Sequence, residues 1–394
     1  MAEAKIIERG RWKFAANYDH IDGCLPQELT LEILLRLSTK SLVRFKLVCK
    51  TWSSLISDPN FIKSHTLNSN NPPLTLLYDS NHRLCKCLSL GKRDDNLNLN
   101  PTVLDVNPFS FLNTIENLYG LIGSCHGLIC TYSVERYLIY LCNPLTKETK
   151  NISLPYPKIQ ANYYDIELSW FGFVSSIDDY KILLVVQETR TRTQTLIIHV
   201  YSIRDDIWRE VDTSVIKSLV TNGRYIRWGW NVALINETLH FCCFDPNHQN
   251  YIITKFDLVQ EIFELMPIIL NDDNRRYCYG EFVDIFQGTS IYIFEYCICP
   301  GGWVMEAWKL EKYGKPDSWN KLFSLELSGF PIGFTSFGGL ILGRPNPGDN
   351  HEYDEITFVD LTRNPPSQIQ LGRTERVHYM LDYVETLVSP FSLP

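Results

Sequence analysis

The chain has 394 residues, 45% of them hydrophobic and 21% charged, so it has the apolar content to bury a sizeable core and lacks the signature of a disordered chain. No run of about 18 apolar residues offers a membrane span, and no apolar leader follows the first residues, so the expected location is cytoplasmic or nuclear, away from any membrane. Twelve cysteines in such a reducing compartment are expected to be free thiols.

Residues 1–22 show no sustained periodicity and read as a flexible N-terminal arm. The pattern then changes. Leu29, Ile33 and Leu37 recur every four residues with Leu34 beside them, and Pro26 stands where a first helical position tolerates proline. This predicts a helix from about Pro26 to Arg36. A second stripe of Leu42, Phe45, Val48, Cys49, Trp52, Leu55 and Ile56 follows at spacings of three and four, with Ser38 or Thr39 able to cap it. After Ser57-Asp58-Pro59, Phe61 and Ile62 form a third short apolar set. A module of this size is short of core and is expected to lean on its own chain or on a partner. From Gly23 to Thr66 it has six basic and three acidic residues, whereas residues 67–394 carry −11. The acidic bulk is a poor candidate for nucleic acid, and the basic module suits an acidic protein partner.

The stretch Leu25-Pro26-Gln27-Glu28-Leu29-Thr30-Leu31-Glu32-Ile33-Leu34-Leu35-Arg36-Leu37 resembles the opening of an F-box. Lys40 to Trp52 is similar to its second half, and Ser54 to Phe61 to its ending. Ser38 stands where plant members often have proline. The resemblance implies a three-helix F-box over residues 23–66 with a break near Val48 to Lys50. It also implies docking to a Skp-type adaptor and, through it, to cullin and RING subunits. Carried over by position, Leu25, Pro26, Leu29, Ile33, Leu34, Val48, Cys49 and Trp52 would contact the adaptor or support that contact.

Residues 67–394 are β-rich in texture, with short apolar or alternating runs broken by Gly, Pro, Asn and Asp. A unit recurs: a strand, a short polar turn, then an aromatic or aliphatic residue. The clearest copies run from Val200 to Trp208, Lys255 to Phe263 and Trp308 to Trp319. Looser copies end at Leu97, Ile152 and Ile369. From Trp208 to Phe263 is 55 residues, and on to Trp319 is 56. That period predicts four-stranded propeller blades, six to seven of them and kelch-like; a β-sandwich or two smaller β-domains is the competing architecture. The fold class expected overall is α+β, a small helical module followed by a mainly-β propeller. Gly123-Ser124-Cys125-His126-Gly127-Leu128-Ile129-Cys130 with Asn143-Pro144 resembles the start of the plant F-box-associated domain. Phe171-Gly172-Phe173, Asp179-Tyr180-Lys181-Ile182, Leu239-His240-Phe241, Phe256-Asp257-Leu258, Ser318 to Phe323 and the tail Tyr383 to Val388 fit the same family. The resemblance, from about residue 75 to 390, is to a group that includes S-locus F-box proteins and regulators of immune receptors.

Catalytic chemistry finds no footing. Cys85-Lys86-Cys87 and Cys297-Ile298-Cys299 lack the spacing of a zinc site, and no phosphate loop, dinucleotide fingerprint or nucleophile elbow occurs. Cys125-His126 reads as a glycine-flanked turn rather than a nucleophile with its base. No catalytic residue, metal or cofactor is expected. Aromatic–basic clusters are the residue types that dominate protein interfaces, and Arg224, Tyr225, Arg227, Trp228, Arg275, Arg276 and Tyr277 are the substrate-binding candidates. Arg190, Arg192, Tyr163 and Tyr164 are further clusters of this kind. The expected function is substrate recognition within an SCF-type ubiquitin ligase. The alternatives are a non-degradative scaffold or adaptor competitor, or a glycan-binding propeller.

Overall fold

Local capping decides the helical module. In the computed structural model α1 (Gln27–Leu35), α2 (Thr39–Phe45), α3 (Lys50–Ile56) and α4 (Pro59–Asn68) follow one another. The residues described are 26–68, 73–79, 84–89, 102–103, 120–156, 164–188, 196–217, 227–228, 232–245, 250–268, 279–287, 291–299, 302–335, 338–345, 353–361, 363, 366–375, 377 and 379–393. Four short helices therefore stand where three were expected. The stripe from Leu42 to Ile56 is not one helix, because α2 tightens at its end, with Leu47 N–H on Arg44 O and Val48 N–H on Phe45 O, both at 3.1 Å. Cys49 then caps α3, its Sγ accepting from Trp52 N–H at 3.4 Å. Ser38 caps α2 by accepting from Ser41 N–H at 3.3 Å, and Asp58 starts α4 by accepting from the N–H groups of Asn60 and Phe61. The break turns Leu42, Leu55 and Ile56 inward with Leu34 and Phe61, and leaves Val48 and Cys49 outside.

Six antiparallel sheets follow among the described residues. Blade 2 shows the plan: Gly120–Cys125, Leu128–Ser133, Leu138–Asn143 and Glu148–Ser153, each hydrogen-bonded to the next. Blade 3 (Tyr164–Val174 to Ile207–Glu210), blade 5 (Tyr279–Gln287 to Trp319–Leu327) and blade 6 (Phe330–Phe334 to Ser367–Glu375) repeat it. Blade 4 splits its first strand into Arg227–Trp228 and Ala233–Ile235, both paired to Thr238–Asp245. Blade 1 closes the ring, because the C-terminal strand Tyr379–Tyr383 pairs with Leu74–Tyr78 from the other end of the propeller. The innermost strands touch between blades 1 and 2, 2 and 3, 4 and 5, and 6 and 1, so they form the inner wall. Middle strands such as Asp179–Glu188 are covered on both faces and read as near-continuous apolar runs.

Strict antiparallel alternation sorts the connections. Turns from first to second and from third to fourth strand fall on one face of the ring. Second-to-third turns and blade-to-blade connections fall on the other. On the first face, the repeat seen in the sequence proves to be a turn. Asn143 Oδ1 accepts from Leu145 and Thr146 N–H, Ser202 Oγ from Asp205 N–H, and Asp257 Oδ1 from Val259 and Gln260 N–H. Each turn ends on a left-handed residue, Lys147, Asp206 or Glu261, with φ of 61°, 56° and 57°. Trp208 and Phe263 take the second place of the fourth strands Ile207–Glu210 and Ile262–Pro267, and Trp319 opens that of blade 5. Ile152, which the spacing aligned with them, lies three places too far along Glu148–Ser153; the equivalent residue is Thr149. Phe263 and Trp319 are buried, while Trp208 is half-buried and donates from Nε1 to Ser153 O of blade 2 at 2.9 Å.

Blades 4 and 5 are tied through a buried histidine. His240 lies between Thr238 O (Nδ1, 3.0 Å) and the Tyr313 hydroxyl (Nε2, 2.8 Å), and burial pushes its pKa down to about 4. An unfolded histidine takes up a proton near pH 6.5, so the unfolded state binds more protons between those values and stability is lost as the pH falls from 6.5 towards 4. The expected loss is on the order of 3 kcal/mol, read from urea midpoints against pH, with a flatter profile in His240→Phe.

Candidate adaptor and substrate interfaces

The helical module keeps part of its apolar surface out of its own core. Leu29 and Ile33, one turn apart on α1, are 49% and 47% exposed. Leu47 and Val48, in the turn before α3, are 88% and 61% exposed. Pro26 and Cys49 are also exposed, and Trp52 is half-buried against Phe45 with ring centroids 5.3 Å apart. Leu34 lies inside the module, buried with Leu42, Leu55, Ile56 and Phe61. Leu25 lies outside the described residues. Leu47 was missed by the sequence reading because it falls off the helical stripe; its signal is that it lies in the break. Arg44 and Lys50 are exposed beside this apolar set. Lys46 is drawn down by burial, with Glu148 of blade 2 opposing that shift.

The module's opposite side packs on the C-terminal tail. Leu387 is buried in the same cluster as Leu34, Leu42, Leu55, Ile56 and Phe61. Thr39 Oγ1 donates to Glu385 O at 3.1 Å, and Lys40 Nζ lies 3.0 Å from Glu385 Oε1. Blade 2 grips the tail from the other side. Asn143 Nδ2 donates to Thr386 O and Val388 O at 3.1 and 2.8 Å, Thr386 Oγ1 donates to His126 O at 2.6 Å, and Ser124 Oγ donates to Asp382 O. Gly127 has φ +78°, and a Cβ there would come within 2.1 Å of Thr386 Oγ1. The Gly123–Cys130 and Asn143-Pro144 motifs are thus the seat of the tail. They belong to the first-to-second and third-to-fourth turns, so the F-box sits on the face that carries those turns.

Of the substrate candidates, Arg224, Tyr225, Arg275, Arg276 and Tyr277 lie outside the described residues. Arg227 and Trp228 form the two-residue strand that pairs with Phe244 and Cys243, the end of Thr238–Asp245 remote from the F-box face. The described strands flanking 157–163, 218–226 and 269–278 are the last strand of one blade and the first of the next. Those flanking 189–195 are the second and third strands of blade 3. The described strand ends that flank these stretches lie on the face opposite the F-box.

Cys125 and His126 form no nucleophilic pair. His126 and Gly127 make the hairpin turn with positive φ, and His126 Nδ1 meets the Tyr180 hydroxyl at 2.7 Å. Burial pushes the Cys125 thiol up to about 11 and the His126 imidazole down. Cys87 lies in a strand, its thiol pushed up to about 12 by burial. Among the described residues no group of three or more His, Cys, Asp or Glu could hold a metal ion, and no helix is long and apolar enough to cross a membrane.

Comparison with known proteins fits this two-part build. Residues 23–64 match the F-box domain, and residues 78–344 match the F-box associated beta propeller domain. An F-box/kelch-repeat protein of Arabidopsis thaliana is 28% identical over 311 residues, covering 76% of this chain and 79% of its own length. An F-box protein of the same plant is 24% identical over 347 residues, covering 78% of this chain and 76% of its own. Among solved structures, the Dos1 propeller aligns with a TM-score of 0.37 at 10% identity over 77% of this chain and 70% of that one. With four short helices, six blades and both family matches in place, the chain belongs to the plant-type F-box proteins that carry a C-terminal F-box associated beta propeller.

Proposed function

We propose that this chain is the substrate-recognition subunit of an SCF-type ubiquitin ligase, working in the cytoplasm or nucleus. The observation that carries the reading is the exposed apolar set Leu29, Ile33, Leu47 and Val48 on a module whose inner side is already filled. Exposed apolar surface rimmed by charge marks an interaction site, and the family's F-box binds a Skp-type adaptor through which cullin and RING subunits assemble. The propeller holds the protein substrate on the face opposite the F-box, the face on which the described strand ends nearest Arg224, Tyr225, Arg227, Trp228, Arg275, Arg276 and Tyr277 lie. Arginines on an otherwise acidic domain suit an acidic or phosphorylated protein surface. Catalysis by this chain is then a matter of proximity: it raises the substrate's effective concentration at a thioester held by other subunits.

Calorimetric titration of the full chain with a plant Skp-type adaptor is expected to give one-to-one binding. Proximity labelling from the chain in plant cells should enrich a small set of proteins only when the proteasome is inhibited. Adaptor binding without any inhibitor-dependent enrichment would instead point to a scaffold or competitor role.

A further inference from the structure

The chain makes its F-box first and Leu387 nearly last, yet both belong to one core. We propose that the C-terminal tail makes adaptor binding conditional on a closed propeller, because the F-box completes its core with a residue that follows the ring-closing strand. The inference rests on the adaptor reading above.

Among the described residues, Leu387 is one of six buried apolar residues in the F-box cluster and the only one of the six from outside the helices. A module of about 40 residues is short of core, so one buried leucine is a large fraction of what holds it together. Thr39 and Lys40, in the first turn of α2, are both tied to Glu385. The tail cannot take this position independently. It continues from Tyr379–Tyr383, which must pair with Leu74–Tyr78 for the ring to close. It is also held by His126 O and Asn143 Nδ2 on the first complete blade. An open or truncated ring leaves the tail unseated and the F-box without Leu387. Coupling of this kind is reciprocal: whatever factor ring closure contributes to F-box order, adaptor binding returns to ring closure. The adaptor is then reserved for chains whose recognition domain is finished.

The test uses the full chain carrying Leu387→Asp. Hydrogen exchange in α2 should rise at least about tenfold in the chain alone. Adaptor affinity should weaken at least about tenfold, because only the ordered fraction binds. Exchange in Asp179–Glu188 should stay as in the wild type, which separates loosening of the F-box from failure of the propeller. The exchanged pair Lys40→Glu with Glu385→Lys should recover affinity lost by either single change. In the wild type, adaptor binding should slow exchange in Tyr379–Tyr383, which lies in the propeller. Unchanged α2 exchange and unchanged affinity in Leu387→Asp would overturn the proposal, as would no protection of Tyr379–Tyr383 on adaptor binding. Should the wild type bind no Skp-type adaptor, the adaptor reading fails, and α2 exchange in the chain alone still decides whether tail and F-box are coupled.

Discussion

Glutamate at both Leu29 and Ile33 is expected to weaken adaptor binding by about a thousandfold or more while the propeller melts at its wild-type temperature. Both side chains are about half exposed on one face of α1 and take no part in the F-box core cluster. Their loss therefore leaves the internal packing of the module intact. Central apolar anchors of an interface commonly contribute 2 kcal/mol or more each when truncated, and two such losses multiply to about that factor. A charge placed in the desolvated contact adds to it. Isothermal titration measures the affinity, and Ile262→Glu, an exposed apolar position on the outer strand of blade 4, is the control expected to bind as wild type. Leu34→Glu is the opposite case. At 1% exposure it should unfold the module itself and raise helix exchange before any adaptor is added. Full binding by the Leu29/Ile33 double variant would place the adaptor contact elsewhere.

Glu261→Gln is expected to destabilise the propeller by about 3–5 kcal/mol, the usual result of stranding a buried charge. Lys181 is almost wholly buried in blade 3, and its ammonium meets Leu258 O and, at 2.7 Å, Glu261 Oε1 in the blade 4 turn. Arg209 reaches the same carboxylate at 2.8 Å, and also lies 3.4 Å from Asp205. Without the Glu261 charge, Lys181 has only neutral oxygen acceptors. Lys181→Met should cost less, because Glu261 keeps Arg209, and adding it to Glu261→Gln should recover part of the loss. Burial pushes the Glu261 carboxyl up, but hydrogen bonds from Arg209 and Lys181 and their charges outweigh it, so its pKa falls below the ordinary glutamate value. A carboxyl lowered by folding stabilises fully above its unfolded pKa, and that contribution is lost as the pH falls through the lowered value. Urea midpoints should therefore drop in acid for the wild type and lose that component in Glu261→Gln.

The helical stripes were legible because periodicity follows directly from burial, and α1 from about Pro26 to Arg36 matches Gln27–Leu35 closely. The break in the second stripe was not visible in that period. Val48 and Cys49 continue the spacing, and only the Cys49 cap and the turn before it show that they leave the core. The blades were legible from a repeated turn, since Asn143, Ser202 and Asp257 satisfy backbone N–H groups in the same way each time. The looser anchor Ile152 failed because apolar residues alternate along every strand, so a hydrophobic match alone does not fix which strand position is meant. The seat of the tail was beyond sequence reasoning. Thr386 lies 243 residues after Asn143, and nothing local in the sequence says that it meets Asn143 and Gly127. The substrate candidates rest on residue type alone, which predicts an interface but not its location.

Among the described residues, the outermost strand of each blade also presents an edge with no further strand in its own sheet, and bare edges can pair with another copy of the same chain. The outer strands here are built against that. Glu148–Ser153 carries Thr149, Lys150 and Asn151 in succession, and Ile207–Glu210 is only four residues long and ends in Arg209 and Glu210. In blades 5 and 6 the outermost pairing slips between Ala307 and Trp308 and between Ile356 and Thr357, so Leu322 and Leu371 are left opposite no residue. Bulges twist an edge away from the flat geometry that a second strand needs. The consequence is colloidal: a ring of six sheets can stay dispersed in a crowded cell at concentrations where six straight, apolar edges would stack into aggregates.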